Sequence, residues 1–366
     1  MSQIEQVKDQ PEILASMNQD MQAASDLYRP TNYWEFYRKS FQPELDEKGL
    51  HDFRRRKGSI LYSFGANDLI ERKLFDAQKV RLIHNKFTTK IPGWKHVENL
   101  KSALGSGFIS LFPAWKKRIW EKPFHYAKKV GEQLGAPPLE DIDLPTIGNP
   151  EERIDINGKS YTSSMLYYYM RYAYAQKYID LNKVQTVIEL GSGSGKNIVY
   201  LKKLHPHLTI LLFDISPQLY VCEQFLKSVF PGQVVSYLDN QNRTDLKDLE
   251  KGKIHVLGSW HMPLLEGQQF DVFWNCASFQ EMEPHVVLNY LSFVRPCVKQ
   301  VYLMAKMDGK EQASDEGSKG VLNPVKFEHY QEGLTGFNMI DKHVCYLPSG
   351  ERMWEGYEES VWKKPE

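Results

Sequence analysis

The chain has 366 residues, 42% of them apolar and 25% charged, with a formal net charge of zero. That length suggests two domains or one large domain with additions, and the balance excludes intrinsic disorder, a collagen-like repeat and a small disulfide scaffold. With no net charge there is no global field to draw in nucleic acid or an anionic membrane surface.

In chain order, residues 1–30 read as a mobile leader with a helix in its second half. Their start, MSQIEQVKDQPEIL, has neither the basic nor the apolar region of a secretory signal. In residues 31–41, TNYWEFYRKSF, Tyr33, Phe36 and Tyr37 share one helical face, with Thr31 or Asn32 as cap. Residues 67–87 repeat Leu69, Ile70, Leu74, Val80 and Ile83 near helical spacing, and Asn67 or Asp68 can cap that helix. A further amphipathic helix is predicted over 113–135, with Pro123 as a kink or break. Residues 136–160 carry APP, LPT and GNPEER, the punctuation of a linker, and an aromatic helix follows at about 161–180. After Asn182 the runs TVIEL, TILLFD, KIHVLG, FDVFWNC and QVYLMA alternate with helical stretches, as in a doubly wound α/β sheet. FNMIDKHVCYL and YEESVWKK then read as an antiparallel pair closing it. The expected organisation is a leader at 1–30, a helical domain at 31–150 and an α/β domain at 151–366. No run reaches 18 apolar residues, so no span is expected, although peripheral membrane association stays open. The four cysteines, at 222, 276, 297 and 345, form no C-x-x-C pair. Neither a zinc site nor a disulfide framework is therefore expected, Cys276 and Cys297 read as buried thiols, and a cytoplasmic location fits.

The strongest local signal is Val187-Ile-Glu-Leu-Gly-Ser-Gly-Ser-Gly-Lys-Asn197, a strand that runs into Gly191, Gly193 and Gly195 and then a helix. A P-loop needs G-x-x-x-x-G-K-[ST]; Leu190 stands where its first Gly belongs and Asn197 where Ser or Thr belongs. The dinucleotide pattern G-x-G-x-x-G is also missed, since the third glycine arrives one residue early. Glu189, two residues before the first glycine, suits a cationic ligand such as S-adenosylmethionine better than a pyrophosphate. Asp214 ends the next strand, 23 residues after Gly191, where a carboxylate accepts from ribose hydroxyls.

The arrangement E-x-G-x-G-x-G with Asp214 resembles class I S-adenosylmethionine-dependent methyltransferases over roughly residues 160–366. The resemblance implies a Rossmann-like sheet of seven strands with the last antiparallel, and release of S-adenosylhomocysteine. It also implies that the loop after strand three, here Ser259, Trp260 and His261, meets the adenine. Trp260 either stacks there or packs in the core. The strand-like run Val234–Asp239 leaves the register open and offers Asp239 as an alternative carboxylate. Asn275 begins the segment after strand four, where the methyl group should lie. This chain reads Asn275-Cys-Ala-Ser278 rather than [DN]-P-P-[FY], which argues against methylation of base nitrogens.

Ser278-Phe-Gln-Glu-Met282 resembles the sugar O-methyltransferases of bacterial surface-polysaccharide gene clusters. So do Pro30-Thr-Asn-Tyr-Trp34, Gly49-Leu-His-Asp-Phe-Arg54, Gly148-Asn-Pro150 and Ser164-Met-Leu-Tyr-Tyr-Tyr169. The implied acceptor is a sugar or polysaccharide, with no nucleic-acid partner. A sugar hydroxyl needs alignment and a base. Glu281 is the first candidate, with His285 on the same helical face if the helix has begun; the competing reading makes Glu281 a helix cap and His285 solvated. His261 follows as base, then His51 and His125. Gln280 is placed to bind a sugar hydroxyl or the cofactor. In the basic run Phe53-Arg-Arg-Arg-Lys57, Arg54 either grips an anionic sugar or belongs to a solvated face. No compact ligand cluster points to a metal. The rival expectations are a methyltransferase for another small molecule or lipid-linked precursor, and a non-catalytic scaffold in polysaccharide assembly.

Overall fold

The computed structural model of the chain describes residues 7–69, 117, 120–353 and 356–365. Most of the helix expected over 67–87 lies outside them. Helix α1 is Pro11–Ala23, α2 Asn32–Lys48 and α3 Lys122–Leu134. Pro123 sits in the first turn of α3, where its missing N–H costs nothing, so it starts the helix instead of kinking it. From residue 7 onward the expected leader is packed. Ile13, Leu14, Met17 and Met21 of α1 are buried, and Asn18 accepts a hydrogen bond from the Ser216 hydroxyl at 2.7 Å.

The expected linker holds a small hairpin, β1 Ile154–Ile156 with β2 Lys159–Tyr161. Its turn is Asn157-Gly158, both with positive φ (49° and 82°), the conformation that an Asn-Gly pair adopts readily. Helix α4, Ser163–Tyr178, starts at Thr162, whose hydroxyl accepts from the Met165 N–H, and it is buried on most of its circumference.

The main sheet uses β3 Thr186–Leu190, β4 Thr209–Asp214, β5 Val234–Val235, β6 Ile254–Gly258 and β7 Phe270–Cys276. It continues with β8 Val298–Lys306, β9 Asn338–Val344 and β10 Tyr357–Lys363. Strands β3, β4 and β6 are mostly apolar and buried almost throughout because helices cover both faces of a parallel sheet. The intervening helices are α5 Lys196–Leu204, α6 Gln218–Val229, the single turn α7 Tyr237–Asn240, α8 Pro284–Cys297 and α9 Phe327–Gly333.

The strand order is β5-β6-β4-β3-β7-β8-β10-β9, parallel except that β10 runs antiparallel to both neighbours. Leaving aside the two-residue edge strand β5, the order in sequence terms is third, second, first, fourth, fifth, seventh, sixth. This is the Rossmann-like class I methyltransferase sheet, with one short strand added at its edge. The order reverses between β3 and β7, which pair in parallel with Leu190 opposite Asn275. Ligands of such sheets bind outside the carboxyl ends of the strands at that reversal. One apolar cluster joins Ile13, Met17 and Phe41 of the amino-terminal helices to Val187, Val256 and Trp274 of the sheet.

Candidate active site

The cleft over the reversal has a volume of about 810 Å³, within the range of small-molecule sites. Its floor is Leu190, Gly191, Ser192, Gly193, Asp214, Ser259, Ala277 and Ser278, and its roof includes Tyr33, Trp34, Tyr37 and Phe64. The glycine loop is built for close approach. At Gly191, φ is +82° and a Cβ would stand 2.3 Å from the Ser278 side chain; at Gly193, φ is +52° and a Cβ would meet the Phe64 carbonyl at 3.1 Å. Gly195, at the start of α5, does not line the cleft; a Cβ there would meet the Cys222 and Leu226 side chains at 3.0 Å.

Asp214 binds the loop. Its Oδ2 accepts from the Gly193 N–H and the Ser192 hydroxyl, both at 3.0 Å, and Oδ1 accepts from the Ile215 N–H at 2.8 Å. Burial still raises its pKa to about 6. Glu189 lies fully buried behind the loop. Its Oε1 accepts from Asn197 at 2.7 Å while Oε2 has no partner, and burial lifts its pKa to about 8. Asn275 donates to the Leu190 carbonyl and to the Ser278 hydroxyl, tying the ends of β3 and β7 together. The Ser259 hydroxyl donates to the Tyr28 carbonyl, and Ser259 lines the cleft. Trp260 is not among the lining residues; it packs edge-on against Tyr237.

After β7 the chain passes through Ala277, a non-glycine residue at φ 59°, into a 3₁₀ turn at Phe279–Glu281. Strain of this kind persists where the surroundings enforce it, and here it turns the chain so that Glu281 lines the cleft. Glu281 is 7% exposed, and its Oε1 lies 3.2 Å from the Lys310 ammonium. Burial pushes its pKa up to about 7 against the pull of Lys310. It does not cap α8: that position belongs to Glu283, whose carboxylate accepts from the N–H groups of Leu322 and Asn323. Because α8 begins only at Pro284, His285 does not share a helical face with Glu281, and it is exposed.

Several other expected site residues lie elsewhere. His261 is buried, with Nδ1 accepting from the Gly258 N–H and Nε2 against the Gln241 carbonyl. That fixes the proton on Nε2 and leaves no free nitrogen for base work; burial lowers its pKa as well. His51 and His125 are exposed and do not line the cleft. Asp239 accepts from the Ser236 N–H in the capping box of α7. Gln280 is fully buried, and neither amide atom has a partner. Arg54 is 0% exposed and does not reach the cleft. Its Nε donates to Asp68 Oδ2 at 2.6 Å and its Nη1 to the Pro145 and Ile147 carbonyls. The charge of Arg54 is thus already satisfied by Asp68, which also accepts from Lys196 Nζ at 2.9 Å and from the Thr162 hydroxyl at 2.6 Å. The basic run is no solvated face either, since Arg56 is buried and pairs with Asp52.

Sequence reasoning missed Lys310, 29 residues beyond Glu281 with no local motif to mark it. It also missed Arg171, hidden in an aromatic helix that reads as packing. All four cysteines are buried free thiols. Among the described residues there is no group of three or more His, Cys, Asp or Glu that could hold a metal, and no helix long and apolar enough to cross a membrane.

No family model matches the chain, and no curated protein matches it. Solved structures with a similar fold include the mitomycin 7-O-methyltransferase MmcR, at 10% identity and a TM-score of 0.35, covering 55% of this chain. The chain spans 57% of that protein's length. The magnesium protoporphyrin IX methyltransferase ChlM from Synechocystis PCC 6803 with bound SAH shares 9% identity at a TM-score of 0.38, covering 56% of this chain and 84% of that one. The pyocyanin biosynthetic protein PhzM shares 13% at 0.34, covering 55% and 58%. At such low similarity the fold assignment rests on the chain's own strand order.

Proposed function

We propose that the chain is an S-adenosylmethionine-dependent O-methyltransferase that methylates a sugar hydroxyl of a bacterial surface polysaccharide or its precursor, in the cytoplasm. The residues fit the cofactor. A loop that leaves no room for side chains lies beside the Asp214 carboxylate, and the buried Glu189 carries an orphan oxygen behind it. Asp214 accepts from ribose hydroxyls, and Ser259 with the backbone of Gly191 and Gly193 borders the rest. Asn275 ties the two strand ends together beside it. The bound cofactor supplies an electrophilic methyl group on a cationic sulfur.

Glu281 is the observation that carries the assignment to oxygen. A hydroxyl loses its proton only as it attacks, so a base with a pKa near the working pH gives the best assistance. A buried carboxylate held near 7 meets that need. In this reading the Glu281 carboxylate receives the proton, with Lys310 3.2 Å from its Oε1. Tyr33, Trp34 and Tyr37 give the roof the flat apolar faces on which sugar rings stack. In this reading residues 31–150 cover the acceptor over the cofactor-binding part at 151–366.

Transfer of labelled methyl from S-adenosylmethionine to cell-envelope extracts, with the product identified, tests the proposal. A methylated polysaccharide or sugar precursor is expected. A methylated lipid or secondary metabolite would replace the acceptor class. Cofactor binding without any transfer would favour a scaffold.

A further inference from the structure

One cleft residue carries a full charge with no ion-pair partner among the described residues. Arg171, on α4, is 5% exposed and lines the cleft beside Tyr167, Tyr168, Cys276 and Tyr357. Its guanidinium lies over the Tyr167 ring at 4.0 Å and the Tyr168 ring at 4.5 Å, which fixes its plane. Among the described residues no carboxylate comes within ion-pair distance of it and no acceptor takes any of its N–H groups, and Nε is sealed from solvent. The neighbouring groups are neutral near pH 7. Burial pushes Cys276 up to about 11 and Tyr168 up to about 12. Of the carboxylates whose fields bear on this region, Glu189 bonds Asn197 through one oxygen and burial lifts its pKa to about 8, which keeps it largely neutral at pH 7, and Glu359 is engaged by the Tyr302 hydroxyl and His343. A buried cation without a counter-charge is costly, whereas buried Arg is normally paired. Ring faces offset part of that cost and leave the planar fork of donors unused.

We propose that Arg171 anchors an anion subsite and that the acceptor of this enzyme bears a carboxylate or phosphate beside the sugar hydroxyl it presents. The inference rests on the methyl-transfer reading and narrows its substrate class. Tyr357 lies within the fields of Lys310, Glu281 and Arg171 alike, so the anion would bind at the same end of the cleft as the base. Anchoring there orients the acceptor in the way that a bidentate clamp orients a reacting group. The role expected of Arg54 thus falls to a residue on α4.

Thermal shift and calorimetry with D-glucuronate, glucose 1-phosphate and glucose, at matched ionic strength and with and without S-adenosylhomocysteine, test this. Both anions, or one of them, should bind wild-type protein at least about tenfold more tightly than glucose, as expected for a charge-assisted pair. The better anion identifies the group. Arg171→Gln should remove that preference and leave the shift produced by S-adenosylhomocysteine unchanged; a shift lost in the folded variant would assign Arg171 to the cofactor's own carboxylate and overturn the acceptor subsite. Arg171→Lys keeps a cation between the rings, covers the case in which Gln fails to fold, and should retain only part of the preference. Glucose binding as well as the anions, no anion binding to wild type, or an unchanged preference in the folded variants would each overturn the subsite. Failure of S-adenosylhomocysteine to bind wild type would instead sink the methyltransferase reading, on a separate readout.

Discussion

At the scale of single residues, the proposed reaction depends on how burial sets the protonation of Glu281. Glu281 must be ionised to accept a proton, and burial holds its pKa near 7. The expected kcat profile therefore rises through about pH 7 and is lost below it. Glu281→Gln keeps the size of the side chain but removes proton acceptance. It should lower kcat roughly 10²–10⁴-fold with cofactor affinity within about twofold. An unchanged kcat in a folded Gln variant removes Glu281 from the chemistry. Lys310 lowers the Glu281 pKa across 3.2 Å, so Lys310→Met should move the rising limb to higher pH. A limb that stays in place would mean that another group titrates. Gln280 next door is a contrasting case. Both of its amide atoms are buried without partners, so Gln280→Met exchanges an unsatisfied group for an apolar one of similar size. Melting temperature should hold or rise, and kcat/KM should stay near wild type unless the amide reaches the acceptor. A fall in kcat/KM at normal melting temperature would place Gln280 at the substrate.

At the scale of elements, the parallel strands were the easiest part to read, because strands buried on both faces must be continuous apolar runs and TVIEL and TILLFD are little else. The closing antiparallel pair was legible from its turn residues for the same kind of local reason. What sequence could not show was which charges the packing would bury. Asp68 looks like a helix cap in isolation, yet the fold places it between Arg54, Lys196 and Thr162. This cluster fastens the 50–68 segment and α4 to the base of the glycine loop, and Lys196 adds a 2.8 Å hydrogen bond to the Gly65 carbonyl. Its two cations hold the Asp68 pKa down at about 2 despite full burial. A folded-state pKa below the unfolded value near 3.9 means that this stability is present above about pH 4 and is lost as pH falls through about 2. Asp68→Asn leaves Arg54 and Lys196 buried without their counter-charge and should cost about 3–5 kcal/mol. Substituting Arg55, which is exposed in the same run, should cost under about 0.5 kcal/mol. Equal losses at the two positions, measured by denaturant unfolding, would show that the buried cluster is not what holds the segment.

At the scale of the whole molecule, the expected boundary near residue 150 marks a change of composition more than a break in the core. Ile13 and Met17 from α1, Phe41 from α2 and Phe124 from α3 share one apolar cluster with the sheet strands. Sequence periodicity shows that a helix has an apolar face but not what that face covers, so α1 looks like a leader until Asn18 is seen bonded to Ser216 and Met17 buried in the shared cluster. The cleft is a product of this continuity, since its floor comes from the sheet and its roof from α2 and the segment after it. A shared core predicts shared unfolding. Calorimetry should give one cooperative transition with matching calorimetric and van't Hoff enthalpies, where independent domains would give two. S-adenosylhomocysteine at 100 times its Kd should then stabilise that single transition by about 2.7 kcal/mol, because a ligand of the native state draws on the whole cooperative unit. Asp214→Ala removes a carboxylate that accepts from the loop and lines the cleft proposed for the cofactor, so it should weaken cofactor binding by roughly 1–3 kcal/mol. The amino-terminal helices provide the discriminating control. If they are part of the unit, ligand binding at the glycine loop should also slow hydrogen exchange in α1. Protection confined to the sheet, together with a second transition that the ligand leaves unmoved, would show that the amino-terminal segment folds by itself.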